Sequence, residues 1–312
     1  MAKYKDFIGE QEFVDTMERV KGSGTYQELD FKIKSSDADY FNRAQARAIF
    51  SLLEEVASAH VDNMGLDKPT MDSKGVTCIL NGVNLRIKRL PTPNEEARIY
   101  SWQSSQNRVG VRRDYYAFDL DGEPLFYASS FCTIASIEKH KIESPELLFN
   151  GPNPYIIDVS VVDGRLNKLR SNFADFSDDS KVQSTIEIIS YSDLDHNHHV
   201  NNTKYLDYAR DAADTFDPGG DLIALDITYA AELHRGDLVI VDATKVAEDE
   251  DTVTIAVRAQ VEDNLKEATE NGSHLVAIYK ELIGKGHDLT SESRSKKNYK
   301  DSFRVEMVFA KA

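Results

Sequence analysis

Cysteine is scarce in this chain: 312 residues contain two, Cys78 and Cys132. They lie far apart and match no metal-ligating or redox spacing, which argues against a disulfide framework or a cysteine-based metal knuckle. They read as buried thiols in a reducing cytosol. Long apolar runs are also missing. No stretch approaches the ~20 apolar residues that a membrane-spanning helix needs. The first residues, MAKYKDFIGEQEFVDTMERV, mix acids and bases without an apolar core. They are unlike a signal peptide and too acidic for a transit peptide, so a cytoplasmic protein is expected. Positive charge is in the minority, with 37 Lys and Arg against 53 Asp and Glu and a formal net charge of −16. That balance disfavours nucleic acid as the main partner. An acidic partner would need a local basic patch to dock. RIKR at 86–89, with Arg108, Arg112 and Arg113, could supply one, although solvated strand edges are the plainer reading.

What is present is ordinary globular composition, 41% hydrophobic and 29% charged, in a length that suits one large domain or two of about 150 residues. A weak internal repeat runs through it. DADYFNRAQARAIFSLLEEVASAH starts at Asp37 and DLDHNHHVNNTKYLDYARDAAD at Asp193, so that Asp39 matches Asp195 at an offset of 156. Each stretch follows a run of strand character, QELDFKIKSS or VQSTIEIISY, and leads into helical periodicity. Ile49, Leu52, Leu53, Val56 and Ala59 carry it in the first half, and Tyr205, Tyr208, Ala209 and Ala212 in the second.

Strands follow each helix. Val83, Leu85 and Ile87 alternate with Asn84, Arg86 and Lys88; Ile223, Leu225, Ile227 and Tyr229 alternate with Ala224, Asp226 and Thr228. VGVRRDYYAFDLDGEPLFYASSFCTIA reads as a hairpin turning at Asp121-Gly122. DLVIVDATKV and TVTIAVRAQV read as a pair joined across AEDED. Residues 146–180, poor in periodic apolar positions and preceded by Pro145, read as an inter-domain linker. HLVAIYKELI and FRVEMVFAKA look like strands, with an exposed polar loop over 284–302 between them. The expected class is α+β: an antiparallel sheet wrapped around one long helix, occurring twice. The expected divisions are 1–145, a linker at 146–180, and 181–312.

The stretch SDLDHNHHVNNTKY, 192–205, crowds His196, His198 and His199 among aspartates and asparagines. A structural zinc site would want cysteine or paired histidines at characteristic spacings, and no cysteine is near. A helix cap explains the Asp and Asn residues but not the histidines. An acyl-transfer site accounts for more. Free N–H groups at a helix start can hold a developing oxyanion. Asn197 can donate from its amide, His199 can donate or shuttle a proton, and Asp195 can fix a tautomer or accept a proton.

DLDHNHHVNNTKYLDY resembles the signature of acyl-[acyl carrier protein] thioesterases, Asp-x-Asn-x-His-Val-Asn-Asn followed by a Tyr-bearing helix. LLEEVASAH, the RLP at 89–91 and RRDYYAFDLDGEPLFYASS also fit, and the resemblance covers residues 25–282. It implies a tandem (double) hotdog fold. It places the family's Asp, Asn and His on Asp195, Asn197 and His199, and its Tyr-x-x-Glu on Tyr229 and Glu232. Where some members carry Cys after that Glu, this chain has Leu233, so a cysteine nucleophile is not available there. The implied catalytic set is Glu232 as general base toward water, His199 positioning or protonating, Asn197 and helix N–H groups holding the thioester carbonyl, and Asp195 orienting the network, with no cofactor and no metal. Phe41, Arg43 and about Leu90 stand at the matching first-half positions, so one active site per chain is expected, in the second half. The first half would supply a cleft wall and an acyl pocket, for which Ile49, Leu52, Leu53 and Val56 are candidates beside their plainer role in the core.

The implied activity is hydrolysis of fatty acyl-[acyl carrier protein] to free fatty acid in fatty acid biosynthesis, with the acidic carrier protein as partner and a homodimer left open. Two alternatives stand beside it. An acyl-CoA thioesterase would use the same residues. A non-catalytic acyl-binding hotdog protein would have lost the polar set in both halves.

Overall fold

The computed structural model describes residues 10–149, 151–162, 164–262 and 299–311. In chain order the elements are α1 (Glu10–Ser23), β1 (Tyr26–Lys32), α2 (Ala46–Asn63), α3 (Lys68–Ser73), β2 (Val76–Ile87), β3 (Glu96–Gln106), β4 (Gly110–Asp119), β5 (Pro124–Ser136), α4 (Glu146–Phe149), β6 (Val182–Ile188), α5 (Lys204–Asp214), β7 (Leu222–Tyr229), β8 (Leu238–Glu248), β9 (Thr252–Glu262) and β10 (Tyr299–Ala310). They fall into two units, Met1–Lys168 with Leu222–Asp226, and Leu169–Asp221 with Ile227–Ala312.

In the first unit the antiparallel strands run in the order β1-β3-β4-β5-β2. Helix α2 packs on β1 and β3. Ile49, Leu53, Val56 and His60, spaced three and four apart, form its buried stripe, while Leu52 and Ala59 flank it half-buried. Each fully buried aliphatic side chain of such a stripe contributes about 1.5–3 kcal/mol. The helix stops where Gly65 takes a φ of +70°, with its N–H on the Asp62 carbonyl and the Leu66 N–H on the Val61 carbonyl. Only glycine enters that left-handed position at no steric cost. The β4–β5 hairpin turns at Asp121-Gly122 as expected. The Asp119 carboxylate accepts from the N–H groups of Asp121 and Glu123, and Gly122 has a φ of +89°.

In the second unit the order is β10-β9-β8-β6, with the 227–229 end of β7 beside β10. Helix α5 packs on β6, β8 and β9 and buries Tyr205, Leu206, Tyr208, Ala209, Ala212 and Ala213. Three alanines let its backbone lie close to the sheet. Strands β8 and β9 pair across the acidic turn as expected. Each unit is thus an antiparallel sheet around one long helix, and the fold is the tandem hotdog.

Several sequence expectations change. The thiols are not both buried: Cys78 is exposed and Cys132 half-buried. Arg112 and Arg113 are neither strand-edge nor docking residues, because both are buried. Arg113 donates to His60 Nδ1 (2.7 Å) and Ser101 Oγ (3.0 Å); Arg112 donates to the Gly164 carbonyl (2.7 Å) and Ser129 Oγ (3.0 Å). The cations of RIKR all meet carboxylates: Arg86 meets Asp226, Lys88 meets Glu123, and Arg89 meets Glu95 and Asp119. Strand β7 does not alternate in burial, since Asp226 and Thr228 are as buried as their apolar neighbours.

Helix α1 and strand β3 were not foreseen. Met17 and Val20 of α1 join Tyr100 and Trp102 of β3 in one apolar cluster with Ile157, Val159 and Val161. Trp102 Nε1 donates to the Val159 carbonyl (2.8 Å), so this part of the 146–180 stretch is packed down rather than hanging as a tether. The polar loop expected over 284–302 ends early, because 299–302 already belong to β10. The rest of that loop and the strand expected at HLVAIYKELI lie outside the described residues.

Candidate active site

One turn is built twice. In the second unit the Asp195 N–H donates to the His199 carbonyl (2.8 Å) and the His198 N–H to the Asp195 carbonyl (3.1 Å). In the first, Asp39 pairs with Arg43 (2.8 Å) and Asn42 with Asp39 (3.0 Å) in the same way. The fourth residue of each turn is left-handed, Asn42 with φ 64° and His198 with φ 65°. Each aspartate caps its own turn. Asp195 Oδ1 accepts from the N–H of Asn197 (2.8 Å) and of His199 (3.3 Å), and Asp39 Oδ1 from those of Phe41 (2.9 Å) and Arg43 (3.0 Å). Short polar side chains that bond the backbone just ahead of them favour this geometry.

The turns are tied to the strand ends in the same manner. The Val200 N–H donates to the Leu233 carbonyl (2.9 Å), and the Ala44 N–H to that of Pro91 (2.8 Å). That equates Glu232 with Leu90, the pairing inferred from the repeat. The side chains differ where the backbone does not. Asn197, His199 and Glu232 stand where the first unit holds Phe41, Arg43 and Leu90. There, Arg43 binds Asp39 (3.0 Å) and lies over the Phe41 ring (4.5 Å).

In the second unit His199 Nε2 comes to 3.5 Å from Glu232 Oε2. Asn197 Nδ2 donates to Asp195 Oδ2 (3.3 Å), which leaves the amide's other N–H for a ligand. His196 and His198 point outward and are exposed, while His199 is half-buried. The structure therefore brings Asp195, Asn197, His199 and Glu232 together, but it changes two assignments. Asp195 is a turn-builder that also holds Asn197; its carboxylate meets the His199 backbone. The turn is also not the helix start. Helix α5 opens at Lys204, and the N–H groups of Lys204 and Leu206 already donate to the carbonyls of Asn201 and Thr203. Asn201 Oδ1 accepts from the Thr203 N–H (2.9 Å) and so steers the chain into the helix.

The segment bearing Glu232 is clamped from three sides. The Tyr205 hydroxyl accepts from the Leu233 N–H (3.2 Å). Burial pushes that phenol up to about 12, with the nearby Glu232 charge adding to the effect, so it stays protonated. Tyr229 donates from its hydroxyl to the Asn202 carbonyl (3.0 Å). Ser302 sits at a bulge in β10, where the pairing with β9 shifts between Asp301 and Phe303. A bulged residue is released from its ladder. The Ser302 carbonyl is thereby free to accept from both Ala230 (2.8 Å) and Ala231 (3.0 Å), and its hydroxyl donates to the Ala231 carbonyl (3.0 Å).

His234 was not singled out by sequence reasoning. Its ring meets that of His199 edge-on at 5.0 Å. His199, Glu232 and His234 offer ligand atoms within 4.8 Å of one another, the one group among the described residues that could hold a metal ion.

Comparison with known proteins agrees with this geometry. The model of the acyl-ACP thioesterase N-terminal domain matches residues 24–145, and that of the acyl-ACP thioesterase C-terminal domain residues 177–272. Relatives include a chloroplastic palmitoyl-acyl carrier protein thioesterase of Arabidopsis thaliana, 27% identical over 62% of this chain and 49% of the relative. Another is a chloroplastic dodecanoyl-[acyl-carrier-protein] hydrolase of Umbellularia californica, 23% identical over 56% and 48%. The chain spans about half the length of these relatives. In fold it is similar to a putative oleoyl thioesterase from Lactobacillus plantarum, with a TM-score of 0.71 and 22% identity over 92% of this chain and 96% of the other. It is likewise similar to the 12:0-ACP thioesterase of Umbellularia californica, with a TM-score of 0.67 and 17% identity over 92% and 98%. Two domain models in the family's own order, on a tandem hotdog with a polar turn in its second half, lead to one assignment: the chain belongs to the acyl-ACP thioesterase family.

Proposed function

We propose that the protein hydrolyses fatty acyl thioesters carried on acyl carrier protein, releasing free fatty acid and the carrier thiol. The observation that carries the reading is the His199–Glu232 pair at 3.5 Å beside Asn197, present in one unit and replaced by Arg43 and Leu90 in the other. Glu232 takes a proton from water as the water oxygen attacks the thioester carbonyl carbon. Asn197 donates to the oxygen that becomes negative. As the C–S bond breaks, His199 protonates the departing thiolate and is resupplied with the proton that Glu232 took from water, so both groups end as they began. The separation of His199 and Glu232 is just beyond a good hydrogen bond and leaves both groups open to a shared water. No cofactor takes part. Leu233 stands directly after Glu232 and carries no nucleophile, which favours attack by water.

Acyl carrier protein is the proposed carrier because the chain's family is named for it. The basic segments singled out in the sequence lend little support, since Arg112 and Arg113 are buried. The test assays one acyl chain on acyl carrier protein and on coenzyme A, with His199→Ala as control. Faster turnover on the protein carrier, lost in the variant, supports the reading. A preference for coenzyme A would replace the carrier, and equal rates for wild type and variant would remove the catalytic set.

A further inference from the structure

Three histidines close together in 192–205 first raise the question of a metal, and their lack of cysteine neighbours argues against one there. The fold assembles a different trio. His199, Glu232 and His234 bring ligand atoms within 4.8 Å of one another, and two of the three come from a loop more than thirty residues downstream. Two imidazoles and one carboxylate form a donor set that zinc accepts with an open fourth position. Imidazole also suits cobalt, nickel and copper.

The spacing fits. Donors ~2.0–2.2 Å from a tetrahedral ion lie about 3.4 Å apart, and His199 Nε2 and Glu232 Oε2 are 3.5 Å apart already. The His234 ligand atom lies within 4.8 Å of the other two, and its ring meets that of His199 at 5.0 Å. A carboxylate stands behind it as well: Asp237 Oδ2 lies 3.9 Å from His234 Nδ1, is itself buried, and is held by the His234 backbone N–H (2.9 Å). At 3.9 Å this is a charge contact rather than a hydrogen bond, and the negative charge favours a cation at the trio. Glu232 is exposed and His199 and His234 are half-exposed, so an ion can reach all three.

We propose that His199, Glu232 and His234 form a binding site for a divalent transition ion of the zinc type, and that the bound ion inhibits hydrolysis. The ion engages the lone pair of His199 and the carboxylate of Glu232, and so withdraws both proton-handling groups at once. The inhibition rests on the function proposed above; the binding does not.

The test uses the full chain without an affinity tag, stripped with EDTA and titrated with cobalt(II), followed by its visible d–d absorption. Zinc is then added in competition. One saturable cobalt site per chain is expected, weakened at least tenfold in His234→Gln and in Glu232→Gln, given what ligand-shell changes usually cost. Circular dichroism checks that each variant folds, and the exposed Glu232 keeps the test alive if His234→Gln does not. Absence of saturable binding overturns the site. So do thiolate charge-transfer bands, which would put the ion at Cys78 or Cys132, or equal affinity in wild type and both variants. Zinc should lower the hydrolysis rate at least tenfold at saturation, with recovery in EDTA. A zinc-loaded enzyme that turns over at the stripped rate, with binding intact, overturns the inhibition and removes His199 and Glu232 from the reaction.

Discussion

His199 Nε2 stands 3.5 Å from Glu232 Oε2, a contact made because the Val200 N–H holds the Leu233 carbonyl next to the turn that carries His199. The pair is thus positioned by backbone bonds on either side of it rather than by its own attraction. Glu232→Gln should fold and bind substrate, yet hydrolyse it at least about tenfold more slowly, as expected for loss of a general base. Single-turnover rates at saturating substrate check this, and a rate near wild type would remove Glu232 from the chemistry.

Asp39 and Asp195 offer a matched comparison. Each caps its turn through two backbone N–H groups. Replacing either by Ala should cost about 1–2 kcal/mol, read as a fall in Tm, because these bonds go to a charged acceptor. Only Asp195→Ala should also lower kcat, since Asp195 alone holds Asn197. Equal loss of activity in the two variants would make the effect one of stability.

Tyr205→Phe removes the hydroxyl that accepts from the Leu233 N–H, and Leu233 is fully buried. A buried donor left unpaired costs about 1–3 kcal/mol. The variant should melt lower and show a reduced kcat with little change in KM, because the clamp beside Glu232 loosens. An unchanged Tm would mean that the N–H has found another partner.

The first unit carries an acid-sensitive pair. Burial first, then the Arg113 charge, pushes His60 down to about 3, and the neutral ring accepts from Arg113. The unfolded chain binds a proton near 6.5 where the folded chain does not. Stability contributed here is therefore full above about pH 6.5 and is lost as pH falls toward 3. The slope reaches about 1.4 kcal/mol per pH unit for one proton. Between pH 7 and pH 4 the Tm of wild type should drop more steeply than that of His60→Gln. Parallel curves would refute this.

The sequence made some of this legible and hid the rest for identifiable reasons. Asn197 and His199 stood out as polar residues crowded ahead of a helix, Glu232 was singled out only by the resemblance to the thioesterase signature, and the repeat supplied Phe41, Arg43 and Leu90 for contrast. Helices α2 and α5 could be read from Ile49, Leu53 and Val56 and from Tyr205, Tyr208 and Ala212, whose period is local. Strand β3 could not, because Ser101, Gln103 and Ser104 are buried beside its apolar residues and erase the alternation of two. Arg112 and Arg113 look solvated until the fold brings them His60 and the carbonyl of Gly164. Ser302 supports Glu232 only through a bulge, and His234 meets His199 only through the turn after it. Both depend on backbone geometry set by partners distant in sequence.

The turn at Asp39 has a consequence for how the other turn is studied. Its backbone bonds, its left-handed residue and its tie to the strand end match those at Asp195, with Phe41, Arg43 and Leu90 in place of Asn197, His199 and Glu232. It is an internal control carried on the same polypeptide, at equal concentration and under the same conditions. Any probe response common to both turns reports on the scaffold, and the remainder belongs to Asn197, His199 and Glu232. Installing Asn, His and Glu at positions 41, 43 and 90 would then ask how much of the chemistry travels with three side chains.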